Sequence, residues 1–360
     1  MHIVLATGIY PPDIGGPATY TYALAKELSL LGYKVTVVTY GRMENEKLRM
    51  KNGEWNVFYI SKAGGPLLRW WRYAFALRKH GADADIVYAF SSVSCGVPLM
   101  FARLKKPKKL LRLGGDFFWE RYTDRGGRKT LKAWYASKPL SRVLTQKLLA
   151  AFDHIIFSSD FQRSLYNGHF RLPSSSIVEN AVPSGFLPHV HMPQEPFRLL
   201  VMSRFVRFKN LGALIRAMLQ LNGVLLTIVG DGPEKKRLQR LVRVLQLEDT
   251  IAFVTPIHGA DKQELFRLHE LFVVPSLTDI SPNAALEARA AGLPVLITRE
   301  TGLSSSFTKG MILKDLQMPE QIAAAIEECR SAYPSVVEVM PSRPWSQVCD
   351  EHMRLFRSVL

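Results

Sequence analysis

The chain has 360 residues, 47% hydrophobic and 22% charged, which is long enough for two ordinary domains and too apolar for a disordered chain. Its three cysteines have neither metal nor disulfide spacing, no apolar run approaches the roughly 20 residues that span a bilayer, and the first residues read as a strand rather than a signal peptide. A reducing, cytoplasmic setting is therefore expected. The net charge of +16 is uneven: residues 1–180 hold 27 Lys and Arg against 13 Asp and Glu, a net +14, while the remainder is near neutral. Such a first half suits anionic lipid, nucleic acid or a phosphorylated substrate, or is simply a basic solvated surface.

Residues 2–7 (HIVLAT) read as a first strand, followed by a turn-rich loop ending in Gly15-Gly16 and a helix over 18–31 that stops at Gly32. The glycine pair lets backbone N–H groups approach a ligand; a plain tight turn has the same composition, and the pair is not the G-x-G-x-x-G dinucleotide fingerprint. Strands follow at 34–39, 55–60 and 85–90. Between the last two lies LLRWWRYAFALRKH, whose Trp70, Trp71, Tyr73 and Phe75 cannot share one helix face, so some are expected at the surface. A helix at 95–104 and the basic turn 105–109 lead to a strand at 110–113 and the run Gly114-Gly115-Asp116. Residues 124–150 are basic and helical after Gly126-Gly127. A strand at 154–158, a helix at 159–167 and a Pro- and His-rich linker close the first half.

The second half opens with a strand at 197–202 and the turn Ser203–Asn210 (SRFVRFKN), then an amphipathic helix over 211–221. Strands at 224–229 and 251–254 flank Gly230-Asp231-Gly232-Pro233 and a helix over 234–245. The stretch 271–298 then gives strand, polar loop, helix and strand: Ser281 is placed as N-cap, Pro282 as the first helical residue, and Gly292 as the stop. Two carboxylates punctuate it eight positions apart, Asp279 in the loop and Glu287 in the helix; an alanine-rich packing helix with a surface glutamate would look alike. Helices over 321–330 and 345–360 finish the chain. Alternation of strands and helices in both halves predicts an α/β protein with two parallel sheets covered on both faces.

D-x7-E followed by ARAAGLPVLIT resembles the E-x7-E and A-x-A-x-G-x-P-V signature of retaining glycosyltransferases of the GT-B fold, family 4 (group 1), with Asp279 in place of the first glutamate. R-x4-K from Arg204 to Lys209, the turn at Gly230, the Y-P-P-x-x-G-G loop at Gly15-Gly16 and I-V-E-N-A-V at 177–182 are similar to the same family's motifs, in order along nearly the whole chain. The resemblance implies two Rossmann-like domains facing across a cleft: an acceptor-side domain over 1–183, a linker over 184–196, a donor domain over 197–342, and a last helix over 343–360 crossing back to the first domain.

It further implies transfer of a sugar from a nucleotide diphosphate sugar to the hydroxyl of an acceptor glycan or lipid-linked glycan, with retained anomeric configuration and with neither metal nor cofactor, in cell-envelope glycolipid or polysaccharide synthesis. Arg204 and Lys209 would hold the diphosphate, Glu287 the ribose, and Asp279 with Ser281, Pro282 and Asn283 the sugar. Gly15, Gly16, Gly230 and Val254 would line the donor site. Where many members carry a histidine this chain has Gly114, and Asp116 is the nearest polar substitute, with capping of the next turn as its other role. Rival readings are a degenerate fold acting as a binding module, and an epimerase of the same fold. No helix-turn-helix, zinc-finger or RNA-binding signature is present, so nucleic acid is not an expected partner. The basic, aromatic first half predicts peripheral attachment to the inner face of an anionic membrane.

Overall fold

The computed structural model describes residues 1–13, 15–41, 55–182, 185–186, 188–189, 192–257, 259–333 and 342–360. The expected domain boundary at 183–184 lies outside these. The chain forms two compact units, one of Met1–Phe117, Lys138–Ala181 and Pro344–Leu360, the other of Phe118–Ser137 and Val182–Arg343.

The first unit is built on β1 (His2–Ala6), β2 (Lys34–Tyr40), β3 (Asn56–Ile60), β4 (Ile86–Ala89), β5 (Lys108–Leu113), β6 (His154–Phe157) and β7 (Ser174–Ile177). They pair in parallel in the order β3-β2-β1-β4-β5-β6-β7. Helices α1 (Gly16–Leu30), α2 (Pro66–Gly81) and α3 (Val97–Phe101, after a π-helical turn Ser92–Gly96) connect the strands. In chain order α4 (Phe117–Asp124) and α5 (Leu131–Ala136) follow, of which all but Phe117 group with the second unit, and then α6 (Ser141–Leu149) and α7 (Asp160–Asn167) of the first. β1 is followed on one side by β2 and on the other by β4. Gly15-Gly16 therefore follows the strand at which the winding reverses, where the loops diverge and leave a crevice.

The second unit holds β8 (Phe197–Met202), α8 (Leu211–Ala217), β9 (Val224–Val229), α9 (Lys235–Val244), β10 (Ile251–Val254) and α10 (Ala260–Arg267). It continues with β11 (Leu271–Val274), α11 (Asn283–Ala290), β12 (Val295–Thr298), α12 (Ser305–Thr308), β13 (Ile312–Lys314) and α13 (Pro319–Ser331). The sheet is again all parallel, ordered β10-β9-β8-β11-β12-β13, so its winding reverses between β8 and β11. The chain then returns to the first unit as α14 (Trp345–Val359), which packs on α1 and buries Val348, Met353 and Phe356 against β1, β2 and β4 side chains.

Several elements differ from the sequence expectation. β7 is Ser-Ser-Ser-Ile and β13 only three residues, so neither carries the apolar run that announces a strand. The expected amphipathic helix at 211–221 is a short helix with all but one residue buried, ending in a 3₁₀ turn, because α9 and α13 cover it. Residues 118–137, expected with the first domain, group with the second unit. Pro282, not Ser281, is the N-cap of α11: its carbonyl accepts the first helical bonds, from Ala285 and Leu286 N–H at 3.1 and 3.4 Å. The helix thus starts one residue later, at Asn283.

Candidate active site

In the second unit the predicted donor residues lie at the carboxyl edge of one sheet: Arg204, Gly230, Asp279 and Ser281 on loops, Lys209 in a 3₁₀ turn, Val254 at the end of β10, and Pro282, Asn283 and Glu287 at or just inside the start of α11. β8 ends at Met202 and the chain turns through Arg204 into a 3₁₀ turn, Arg207–Lys209. Packed on that turn is the loop after β9: Gly230 lies so close that a Cβ there would sit 2.0 Å from the Ser203 carbonyl oxygen. Phe205 N–H donates to Asp231 O at 2.8 Å, and Gly230 N–H donates to Val254 O at 3.0 Å. The glycine thus brings three loops, those after β8, β9 and β10, into backbone contact.

The loops after β8 and β11 meet at the reversal of the sheet. Lys209 Nζ donates to Asp279 Oδ2 at 2.6 Å, and Ser276 Oγ donates to the same oxygen at 2.8 Å. Both side chains are largely buried, 18% and 7% exposed, so the pair is shielded from solvent screening. The main chain of Asp279 is fixed as well: its N–H donates to Glu300 O at 3.0 Å, and its carbonyl accepts from Gly302 N–H at 2.8 Å. Leu277 N–H donates to Phe208 O at 2.8 Å, a second link between the two loops.

Glu287, one turn inside α11, pairs with Lys262 of α10; both are about four-fifths buried. Lys262 escaped the sequence reading because nothing local marks it: it lies 25 positions before Glu287, and only the packing of α10 beside α11 joins them. Arg204 differs from both lysines. Its side chain is exposed and makes neither hydrogen bond nor ion pair among the described residues. It is a cation beside the switch point that no anion among the described residues neutralises.

Asp116, Gly15 and Gly16 belong to the first unit, also at the carboxyl edge of its sheet. Gly15 is the N-cap of α1 and Gly16 its first residue, with open space where a Cβ would stand. Asp116 is buried: Tyr166 OH donates to its Oδ2 at 2.6 Å, while Gln162 Nε2 from the same helix, α7, donates to Gly115 O at 3.1 Å. Among the described residues no group of three or more His, Cys, Asp or Glu is placed to hold a metal ion. No helix there is long and apolar enough to cross a membrane.

Comparison with known proteins agrees with this layout. Residues 14–184 match the family described as Glycosyltransferase Family 4 and residues 189–333 the one described as Glycosyl transferases group 1. A human phosphatidylinositol N-acetylglucosaminyltransferase component is 25% identical over 336 residues, 87% of this chain and 65% of that protein. The lipopolysaccharide core biosynthesis glycosyltransferase LpsD of Rhizobium meliloti is 31% identical over 143 residues, 38% of this chain and 40% of that protein. Less than two thirds of the length of either relative is thus matched. Among solved structures, sucrose-phosphate synthase from Thermosynechococcus elongatus superposes with a TM-score of 0.83 at 18% identity, covering 99% of this chain and 98% of that one. Anabaena HepE in complex with UDP-glucose gives 0.72 at 16% identity, covering 100% and 97%.

The Lys209–Asp279 pair can be tested apart from any activity. Lys209→Ala leaves a buried carboxylate with Ser276 as its one remaining side-chain donor, and should cost roughly 1–3 kcal/mol of stability. Adding Asp279→Asn should recover part of that loss, since the stranded charge is gone. Urea unfolding of the two variants measures it; a loss that the second substitution leaves unchanged would place the cost elsewhere.

The matched family regions, the two all-parallel sheets and the shared fold of the solved neighbours together identify this chain as a GT-B glycosyltransferase of the group 1, family 4 type.

Proposed function

We propose that the chain transfers a sugar, with retained configuration, from a nucleotide diphosphate sugar to a hydroxyl of a lipid-linked acceptor at an anionic membrane surface. The observation that carries the donor half is Arg204, an exposed cation without an anion partner among the described residues, next to the Lys209–Asp279 pair at the switch point of a parallel sheet. A nucleoside diphosphate leaving group develops negative charge, and cations fixed beside it stabilise that charge as the bond breaks. Arg204 and Lys209 would hold the diphosphate and Glu287 the ribose hydroxyls. Asp279, whose Oδ2 is engaged by Lys209, would offer its other oxygen to the sugar together with Ser281, Pro282 and Asn283.

Retention follows if the acceptor oxygen attacks C1 on the face from which the phosphate departs. The C1–O bond to phosphate breaks, the bond to the acceptor oxygen forms on the same side, and the departing phosphate takes the acceptor proton. In this scheme the protein supplies positioning and charge. Gly15 and Gly16 would present backbone donors to the nucleotide sugar, and Asp116 would act through the turn it anchors with Tyr166.

The lipid half rests on the surface of the first unit. α1 and α14 pack on each other, whereas α2 packs on α3 and α6 meets the π-helical turn that leads into α3. The surface of α2, α3 and α6 exposes Leu67, Trp71, Phe75, Phe101, Leu140 and Leu144, with Trp71 66% and Leu140 94% exposed. Of the α2 aromatics, Tyr73 faces the sheet and Trp70 is half-buried. Exposed Arg78, Lys79 and Lys147 on the same helices give this surface the charge an anionic bilayer attracts. Of the two relatives named above, one is named as a phosphatidylinositol N-acetylglucosaminyltransferase component and the other as a glycosyltransferase of lipopolysaccharide core biosynthesis, names that support a lipid-linked acceptor.

Arg204→Ala tests the donor site cleanly, because among the described residues its exposed side chain makes neither hydrogen bond nor ion pair. Nucleoside diphosphate affinity should fall by about 1.5–3 kcal/mol, roughly 10- to 150-fold. Unchanged affinity in both Arg204→Ala and Lys209→Ala would reject the assignment. Glu287→Gln keeps the shape and weakens the acceptor; donor KM should rise, and wild-type kinetics in a folded variant would remove Glu287 from the site. For the membrane, co-sedimentation should show binding to anionic but not neutral vesicles at low salt, each basic residue contributing about 1 kcal/mol, with loss on Trp71→Ser plus Phe75→Ser. Equal, negligible binding to both vesicle types would favour a soluble acceptor.

A further inference from the structure

The chain passes between its two units four times, because Phe118–Ser137 leaves the first unit directly after Phe117 and rejoins it at Lys138. The excursion is a built element. Trp119 Nε1 donates to Lys129 O at 3.0 Å, and the Tyr122 and Trp134 rings lie 6.1 Å apart. Gly127 has no side chain where the Tyr122 ring passes: a Cβ there would fall 2.2 Å from the ring. Trp119, Thr123, Leu131, Trp134 and Tyr135 are all buried.

Its contacts in the second unit fall on residues adjacent to the central ion pair. The Trp119 ring packs on Phe208 at 5.3 Å, and Phe208 precedes Lys209. Leu131 N–H, one of the donors that the first turn of α5 cannot satisfy internally, donates to Thr278 Oγ1 at 2.9 Å, and Thr278 precedes Asp279. Thr130 serves a different N–H, that of Ala133, so the cap of α5 is shared between its own threonine and one from the loop after β11. Thr278 is 1% exposed and Leu131 fully buried, which leaves no water to replace the lost bond. Lys132 of α5 also lies near Glu300, whose carbonyl holds Asp279 N–H.

We infer that Phe118–Ser137 is a positioning element of the donor site, with Trp119 and the Thr278–Leu131 bond as the contacts that hold the loops bearing Lys209 and Asp279 in register. The inference rests on the proposed donor site. Lys209 sits in a three-residue 3₁₀ turn and Asp279 in a loop joined by a single bridge to Thr301, so no extended ladder or long helix fixes either side chain. A displacement of about 1 Å at reacting groups can cost on the order of a hundredfold in rate. An element that packs on the neighbours of both residues limits that displacement.

The test compares Thr278→Val, Thr278→Ser, Trp119→Ala and Trp119→Phe with the unaltered chain. The readouts are nucleoside diphosphate affinity by titration and donor KM and kcat, at a temperature where each variant keeps its folded circular-dichroism spectrum. Thr278→Val, nearly isosteric, should lose about tenfold in kcat/KM and bind nucleotide more weakly. Thr278→Ser, which keeps the acceptor oxygen, should restore both. Trp119→Ala should fall in the same way and Trp119→Phe should stand between. A purely structural role would lower the melting temperature and leave the kinetics of the folded protein alone; wild-type kinetics and affinity in folded Thr278→Val and Trp119→Ala would overturn the positioning role while the donor site stands. Absence of nucleotide binding in the unaltered chain would overturn the donor site and the positioning role with it.

Discussion

The loop edge of the second sheet is organised around one ion pair. Loops that leave neighbouring strands β8 and β11 for opposite sides of a sheet would drift apart unless something joined them, and Lys209 to Asp279 joins them at 2.6 Å. Burial makes the link matter: with little water around it, the attraction is weakly screened, and each partner alone would be an uncompensated charge. Ser276 on the same oxygen and the Leu277–Phe208 backbone bond share the work. The pair also uses one of the two motif cations internally and leaves Arg204 as the one that no anion among the described residues holds.

Charge is arranged the same way a short distance along the chain. Glu287 is paired with Lys262, so both acids of the D-x7-E signature are neutralised by lysines from other elements. In the proposed donor site a carboxylate so held would keep one oxygen for a ligand hydroxyl without standing as a bare charge near a diphosphate. The shorter side chain of Asp279, compared with the glutamate usual in such motifs, goes with its close approach to Lys209.

Much of this was legible in sequence because the motifs are local. HIVLA, KVTVVTY and LFVV are apolar runs bounded by turn residues, and each is a buried strand. R-x4-K and D-x7-E fall where a strand gives way to a helix, which places their charges at a sheet edge without any knowledge of strand order. What escaped was long-range or weakly patterned. Serines in β7 and the brevity of β13 hide both strands, and Lys262 and Thr278 gain meaning only from partners in other elements. The company kept by residues 118–137 is the clearest case, since their sequence neighbours lie in one unit and their packing partners in the other.

The central claim is that the switch point of the second unit is a nucleotide diphosphate sugar site. A thermal-shift panel of UDP, GDP, ADP and TDP sugars on the unaltered chain tests it most directly, because a ligand that binds only the folded state stabilises it by about 2.7 kcal/mol at a hundred times its dissociation constant. One nucleotide family should raise the melting temperature in a concentration-dependent way, and the corresponding nucleoside monophosphate should do so far less. No shift with any member of the panel at millimolar concentration would contradict the claim.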